Sequence, residues 1–198
     1  MRIFFGATLP ENTKTQILKV QEELRPLFHD ARFEGEDKLH ITLQFIGEFD
    51  VKKSSELFSS VEAEVKESLF ESFSVEIVGI NFFPNEKVRR GIWLECRDDG
   101  TLSRIAEAIK SVTKEFGIIP ESRSFKAHIT VARLKEGKGT SRFSRNDSVE
   151  DLKKFESEDK LHVEKFFPMS IAMFESVLKP SGSEYKMLSQ VTLLPRQA

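Results

Sequence analysis

The two segments that decide the fold are LHITLQFIGEF, residues 39–49, and FKAHITVARL, residues 125–134. Both are rich in β-branched and aromatic residues, which is typical of strands. Each contains the triplet His-Ile-Thr, and the two histidines, His40 and His128, are 88 residues apart. We therefore interpret the chain as two copies of one unit, with an HIT strand at the same point of each copy.

The segments around the two HIT strands follow the same order in both halves. In the first half, alternating apolar residues over 2–9 predict a strand, and apolar residues at helical spacing over 17–27 predict a helix. The remaining predictions, taken along the chain, are a helix over 51–69, a strand over 73–83, a strand over 91–96, a helix over 101–116 with its face at Leu102, Ile105, Ile109 and Val112, a helix over 149–155, and strands over 165–174 and 185–193. A duplicated βαβαβ-type unit predicts an α+β fold of two lobes about a pseudo-twofold axis.

The repeated triplet places an imidazole and a hydroxyl group on one face of each strand. Side chains i and i+2 of a strand share a face, so His40 and Thr42 should point one way, and His128 and Thr130 likewise. Two imidazoles that titrate near neutral pH suit a phosphodiester, because one histidine takes a proton from the attacking group while the other protonates the departing oxygen. The threonine hydroxyls would hold the non-bridging oxygens.

Two further residues are candidates for the same pocket. Arg133, five residues after His128, would grip the phosphate, but its odd offset requires it to reach back from a bend or strand end. Phe45 lies just past the first triplet and is our candidate for stacking on a base.

Several alternatives compete for these residues. A single HIT triplet is more typical of a half-buried structural histidine, and only the repetition reverses that preference. A zinc site would need three or four ligands, and the remaining candidates, Cys96, His29 and His162, show no metal-type spacing. We expect Cys96 to be a buried thiol, and both other histidines to be structural or exposed. We expect no metal and no cofactor.

Composition excludes other classes of function. The chain has 198 residues, 39% hydrophobic and 31% charged, with a formal net charge of −2, which is ordinary for a globular protein and argues against tight binding of long duplexes. Basic residues nevertheless concentrate between Arg123 and Arg145, a segment that contains seven of them and a single acidic residue, Glu136. There is no Gly-rich phosphate loop, so ATP chemistry is not expected. We expect a cytoplasmic monomer without a membrane span.

The sequence also resembles a known family. Two H-x-T-hydrophobic motifs in a duplicated domain are similar to those of the two-histidine (2H) phosphoesterases. The segments MRIFFGATLP, LHITLQFIGEFD, FFPNEKVRRGIWLEC, FKAHITVARL and SVLKPSGSEYKML resemble, in order and nearly end to end, the LigT-type RNA 2′,3′-cyclic phosphodiesterases, also called 2′-5′ RNA ligases. Ala127 departs from the family, which often has proline before the second histidine, and the basic loop 135–148 has no clear family pattern.

The resemblance implies a fold and an activity. It implies one domain over residues 1–198 in which two antiparallel sheets line a central cleft with helices outside, the lobes covering about 1–85 and 86–198 and exchanging strands. It implies hydrolysis of a terminal 2′,3′-cyclic phosphate to a 2′-phosphate without a metal. His40 and His128 would be the catalytic pair, by analogy acid and base respectively, with Thr42, Thr130 and Arg133 on the phosphate.

Three rival functions stay open at this point. The same pocket would serve a 2′-5′ oligonucleotide linkage or a small cyclic nucleotide, and run in reverse it would ligate RNA ends. A binding module without turnover would keep the pocket, although both H-x-T motifs are intact. A purely structural repeat would use the histidines only for stability. The expected partners are RNA ends or small cyclic-phosphate nucleotides.

Overall fold

The computed structural model describes residues 1–68, 70–119, 124–134, 147–158, 160–180 and 182–193. The strands found there are β1 Arg2–Thr8, β2 Arg32–Phe33, β3 His40–Glu48, β4 Glu76–Phe83, β5 Gly91–Arg97, β6 His128–Arg133, β7 Ser170–Lys179 and β8 Gly182–Thr192. The helices are α1 Glu11–Leu24, α2 Ser54–Glu67, α3 Thr101–Glu115 and α4 Asp147–Ser157, with short 3₁₀ turns at Glu36–Lys38 and Val51–Lys53.

The strands pair antiparallel in the order β4-β5-β6-β3-β1-β7-β8, and β2 pairs with β6. The α+β class with antiparallel strands and a duplicated unit is therefore confirmed. The two antiparallel sheets of the prediction are joined to each other as the halves of one eight-stranded sheet. The junction is narrow: β3 and β6 share the pair Ile41 and Ile129.

Strands from both ends of the chain contribute to each half of the sheet. The late strand β7 pairs with β1, and β8 follows it at that edge. The early strand β4 pairs with β5 at the opposite edge. The division of the chain into lobes near residue 85 stays a prediction.

One face of the sheet is covered and the other carries the HIT side chains. The helices bury apolar faces against the covered side, in one core that includes Ile41 and Ile129. In α3 the buried positions include all four predicted residues, Leu102, Ile105, Ile109 and Val112. This helix begins where carboxylates accept from its first amides: Asp98 accepts from Leu102 N at 2.8 Å and Asp99 from Thr101 N at 3.1 Å.

The element boundaries differ from prediction where the backbone cannot continue a ladder. The strand predicted over 165–174 begins only at Ser170, since Pro168 has no amide hydrogen to donate. Phe166 instead forms an isolated bridge with Val75. No helix in the described part of the chain is long and apolar enough to cross a membrane.

The junction of the two halves makes a test of the fold. Ile129→Ala should lower the free energy of unfolding by about 2–5 kcal/mol, since Ile129 is fully buried and the methyl groups removed leave a cavity. Chemical denaturation monitored by Trp fluorescence measures this. Val88→Ala is the matched control, because Val88 is half exposed and should cost under about 0.5 kcal/mol. Equal losses in both variants would contradict the packing described.

Candidate active site

Both histidines of the HIT strands lie on the open face of the sheet. In β3, His40 and Thr42 are partly exposed while Ile41 is buried, and in β6 the same alternation holds around the buried Ile129. Antiparallel pairing about the two isoleucines sets Thr42 beside His128. The repeat thus brings the two imidazoles to one cleft from adjacent strands.

Each imidazole is held in the same way. Nδ1 of His40 lies 2.7 Å from the Lys38 carbonyl, and Nδ1 of His128 lies 2.7 Å from the Lys126 carbonyl. A carbonyl only accepts, so Nδ1 carries the hydrogen and, in the neutral ring, Nε2 keeps its lone pair. Nε2 of His40 is 3.0 Å from the Thr42 hydroxyl, which donates to it in that form. Both rings therefore have Nε2 as the nitrogen that can exchange a proton.

Three aromatic rings surround the imidazole of His40. Its ring centroid is 4.9 Å from that of Phe4, 5.6 Å from Phe174 and 5.4 Å from Tyr185. This burial lowers the pKa of His40 to about 4, against the raising effect of the Lys38 carbonyl and with smaller lowering effects of His128 and Arg133. Gly6 makes room for the ring, since a Cβ there would lie 3.1 Å from His40 Cδ2.

The imidazole of His128 has different neighbours and is less buried than that of His40. Its ring centroid lies 4.3 Å from that of Trp93 on the neighbouring strand β5. Burial lowers the pKa of His128 below its ordinary value, the Lys126 carbonyl opposes this, and the charge of Arg133 adds to it. Both imidazoles are consequently mostly neutral at pH 7.

A β-bulge in β6 explains why Arg133 faces the cleft although it lies an odd number of residues after His128. Ile92 of β5 pairs with Ala132 and Trp93 pairs with Thr130, so Val131 is an extra residue in β6. Val131 and Ala132 are consequently both buried, and Arg133 returns to the face of His128. The side chain lines the cleft next to His40.

The first HIT strand carries the same irregularity. Phe5 of β1 pairs with Gln44 and Gly6 pairs with Thr42, so Leu43 is the extra residue of β3. Phe45, also five residues after its histidine, is thereby placed on the cleft face with 41% of its surface exposed. The two half-sites thus match in backbone and differ at this position, with an aromatic ring in one and a guanidinium in the other.

A buried polar network holds the bulge of β6. The Val131 carbonyl accepts from the Glu34 amide at 2.9 Å and from Gln21 Nε2 at 3.0 Å, and Gln21 Nε2 also donates to the Glu34 carbonyl at 2.9 Å. The Glu34 carboxylate, only 8% exposed, accepts from Arg133 Nε at 3.1 Å. Arg133 is therefore oriented by a residue that follows the two-residue strand β2. Sequence reasoning missed Gln21 and Glu34, because so short a strand has no periodicity.

The cleft has two compartments, which share Thr42 and Phe45 as a common wall. The first, of about 410 Å³, contains His40 and is here called the cationic compartment; it is lined by Arg2, Phe4, Arg32, Glu34, His40, Thr42, Phe45, Arg133, Ser176, Ser183 and Tyr185. The second, of about 530 Å³, contains His128 with Trp93, Phe83, Phe125 and Lys126 and is called the aromatic compartment. Thr130 is half-buried on the same face but lines neither compartment.

Trp93 and Tyr185 could have been singled out from the amino-acid composition, which sequence reasoning overlooked. The chain has eighteen phenylalanines but a single Trp and a single Tyr, the aromatic residues with a polar group. Trp93 packs on one histidine and Tyr185 on the other. Burial raises the pKa of Tyr185 while a hydrogen bond with Arg133 lowers it, so the phenol stays protonated near neutral pH.

The remaining candidates lie elsewhere. His29 and His162 are exposed and line neither compartment. Cys96 is buried, and burial raises its pKa to about 12, which leaves an unreactive thiol. Among the described residues no three His, Cys, Asp or Glu side chains are grouped as metal ligands. Most of the basic run between 123 and 145, including the loop that follows Leu134, lies outside the described residues.

Comparison with known proteins agrees with this geometry. The family model described as "LigT like Phosphoesterase" matches residues 8–93 and again 94–170, one match for each half of the repeat. The chain therefore belongs to the LigT-like phosphoesterase family.

Named relatives extend along nearly the whole chain. An RNA 2′,3′-cyclic phosphodiesterase of Archaeoglobus fulgidus is 29% identical over 192 residues, 95% of this chain and 98% of the relative. One of Thermotoga maritima is 28% identical over 193 residues, 95% and 93% of the two chains. Among solved structures, TT0787 of Thermus thermophilus superposes with a TM-score of 0.77 at 24% identity over all of both chains. LigT of E. coli, complexed with 3′-AMP, gives 0.67 at 20% identity over 98% of each chain.

The network under the bulge gives a prediction. Gln21→Leu should lower the free energy of unfolding by about 1–3 kcal/mol, because the buried Glu34 carbonyl loses its Gln21 donor. Thermal and urea unfolding measure the loss. The control Lys19→Leu puts the same side chain at an exposed position of the same helix and should change stability by under about 0.5 kcal/mol. A Gln21 variant as stable as the control would contradict the role given to this bond.

Proposed function

We propose that this protein is an RNA 2′,3′-cyclic phosphodiesterase that opens a terminal 2′,3′-cyclic phosphate to a 2′-phosphate. The observation that carries the proposal is the pair of imidazoles in one cleft, each tied through Nδ1 to a carbonyl so that Nε2 exchanges protons. The relatives named RNA 2′,3′-cyclic phosphodiesterase support the choice of substrate. We further propose that the protein acts as a cytoplasmic monomer on RNA ends or small cyclic nucleotides.

The reaction needs one base and one acid on opposite sides of the phosphorus. A water molecule attacks phosphorus as the base removes its proton, and the bond from phosphorus to the 3′ oxygen breaks. The acid protonates that leaving oxygen, and the phosphate stays on the 2′ oxygen. By resemblance to the family, His128 is assigned as the base and His40 as the acid.

Negative charge increases on the non-bridging phosphate oxygens in the transition state, and hydrogen-bond donors are needed to stabilise it. The guanidinium of Arg133 has five hydrogens, of which the one on Nε bonds Glu34 and at most one other bonds Tyr185, so Nη hydrogens remain for phosphate. The Thr42 hydroxyl lies between the compartments and donates to phosphate once Nε2 of His40 is protonated and no longer accepts from it. Thr130 is assigned to the phosphate by its place in the repeated motif.

The depressed pKa values restrict how the acid is charged. An acid must be protonated, yet burial keeps His40 neutral at pH 7. The negative charge of a bound cyclic phosphate favours imidazolium and raises the pKa of both rings. Substrate binding therefore supplies the negative charge that stabilises the protonated form of the acid.

Hydrolysis is the first test. Pure protein with a chelator present should convert a short RNA ending in a 2′,3′-cyclic phosphate to a 2′-phosphate, as ³¹P NMR of the product shows. His40→Ala and His128→Ala should each lose about 10²–10⁴ in kcat, because each removes one proton transfer. His162→Ala is the matched control, since this histidine is exposed and away from the cleft.

The outcomes separate the rival functions. Binding of the RNA without turnover by folded wild-type protein would make this a binding module. Preferential cleavage of a 2′-5′ oligonucleotide would move it to the other phosphodiesterase class, and joining of the cyclic end to a 5′-hydroxyl RNA would show ligation in the same pocket. A histidine variant with full activity would contradict the acid–base pair.

The pH dependence is the second test. In free enzyme, one imidazole must be charged and the other neutral, and both pKa values lie below 6.5. The value of kcat/KM, which reports free enzyme, should therefore fall as pH rises above 6.5, the ordinary value from which both pKa values are lowered. The optimum of kcat should lie at higher pH, because bound phosphate raises both pKa values. Steady-state assays over this range check both, and a kcat/KM that rises from pH 6 to 8 would contradict the assignment.

A further inference from the structure

Tyr185 lies on β8, and its side chain faces the cleft. In the β7–β8 ladder it is directly opposite Ser176, and both residues line the cationic compartment. The phenol ring packs on a small apolar cluster that contains Phe4 and Phe174 and is separate from the main core. Tyr185 is therefore in the same compartment as His40, and the proposed reaction assigns it no role.

Contacts of the ring restrict the position of the phenol oxygen. The ring centroid of Tyr185 lies 5.0 Å from that of Phe4, with 72° between the ring planes, and 5.4 Å from that of His40, with 87° between the planes. Edge-to-face packing of this kind is a favourable geometry for aromatic rings. Because tyrosine has few side-chain torsions, a ring held in this way also has its oxygen held in place.

The phenol oxygen of Tyr185 already accepts one hydrogen bond, from Arg133. Burial, the largest effect, raises the pKa of Tyr185, whereas the charge of Arg133 and this hydrogen bond lower it. The nearby Glu34 raises the pKa through its charge, and its carboxylate accepts from Arg133 Nε at 3.1 Å. Within the part of the chain that the structure describes, no group accepts the phenol hydrogen. Tyr185 thus keeps one donor beside the guanidinium.

An oxyanion is the ligand that fits this pair of side chains. The guanidinium of Arg133 keeps Nη hydrogens, which suit phosphate oxygens, and the phenol is bonded to the same guanidinium. Since the phenol stays protonated near neutral pH, it can donate to an anion and does not repel it. A donor held in place before the ligand binds stabilises charge that increases in the transition state, because it does not need to reorganise.

We propose that the hydroxyl of Tyr185 donates to a non-bridging oxygen of the cyclic phosphate, beside Arg133, and is a further catalytic residue of the reaction. The inference rests on the proposed function and deepens it. The bond strengthens as negative charge increases on that oxygen, and no proton leaves Tyr185. The bond that forms is still the one from water oxygen to phosphorus, and the bond that breaks is the one from phosphorus to the 3′ oxygen.

Removal of the hydroxyl alone is the first test. Tyr185→Phe keeps the ring against Phe4 and His40 and should lower kcat on adenosine 2′,3′-cyclic phosphate about 10–100-fold, the strength of a hydrogen bond to a charged group. Thr192→Val is the matched control, because it removes a hydroxyl from an exposed position of the same strand that lines neither compartment. Thermal melting checks that both variants are folded. A Tyr185→Phe enzyme as fast as the control would overturn the proposal.

Sulfur in place of one non-bridging oxygen locates the bond. Adenosine 2′,3′-cyclic phosphorothioate has two diastereomers, and each carries sulfur at one of the two non-bridging positions. Sulfur accepts hydrogen bonds more weakly than oxygen, so the loss of rate caused by sulfur should shrink in Tyr185→Phe for one diastereomer and stay unchanged for the other. Sulfur effects that are the same in wild type and variant for both diastereomers would overturn the direct bond.

A second comparison separates a direct bond from an action through Arg133. If Tyr185 only held the guanidinium in place, Tyr185→Phe would have no further effect once Arg133 is replaced. A direct bond predicts that Tyr185→Phe still lowers kcat several-fold in an Arg133→Lys background, where the positive charge is retained. Equal rates of the Arg133→Lys single variant and the double variant would overturn the direct bond.

These results are distinct from a failure of the proposed function. Turnover that is unaffected by Tyr185→Phe would overturn the role of Tyr185 alone and leave the phosphodiesterase proposal in place. Absence of turnover by folded wild-type protein would overturn the proposed function. Calorimetry with inorganic phosphate would then decide on Tyr185, since wild type should bind phosphate several-fold more tightly than Tyr185→Phe, and equal affinities or no binding by either protein would overturn the inference.

Discussion

The pairing of Ile41 with Ile129 is the contact on which the rest of the structure depends. It joins two halves of a sheet at a single position, and both side chains are fully buried in the common core. Because side chains alternate along a strand, burying these two isoleucines forces the neighbouring histidines and threonines onto the opposite face. Packing on one side of the sheet thereby determines chemistry on the other.

The two bulges show how a symmetric backbone comes to hold an asymmetric site. Leu43 in β3 and Val131 in β6 are equivalent extra residues, and each rotates the following strand so that the residue five after the histidine faces the cleft. That residue is Phe45 in one half and Arg133 in the other. An aromatic face suits a base or ribose, while a guanidinium suits phosphate. The two halves therefore match in backbone at this point and differ in the side chain that faces the cleft.

The surroundings of the two imidazoles divide their roles further. Three rings pack around His40, whereas among the described residues Trp93 is the aromatic ring that packs on His128, tilted and at a centroid distance of 4.3 Å. The deeper burial of His40 lowers its pKa more clearly. The neutral state of both rings at pH 7 follows mainly from their burial, and the charge of Arg133 adds a smaller contribution. In the proposed reaction, the negative charge of the bound phosphate would stabilise a protonated imidazole in this cleft.

The sequence alone determined the duplicated unit, the order of helices and strands, and the face on which His40, Thr42, His128 and Thr130 would lie. These follow from hydrophobic periodicity and from alternation along a strand, which are local properties of the chain. Tertiary structure decided that the halves form one sheet, that Glu34 and Gln21 hold Arg133, and that Trp93 and Tyr185 cover the histidines. Glu34 and Arg133 are 99 residues apart, and no local pattern encodes a contact between them. Such contacts arise only when strands distant in sequence pair and a bulge changes which face a side chain occupies.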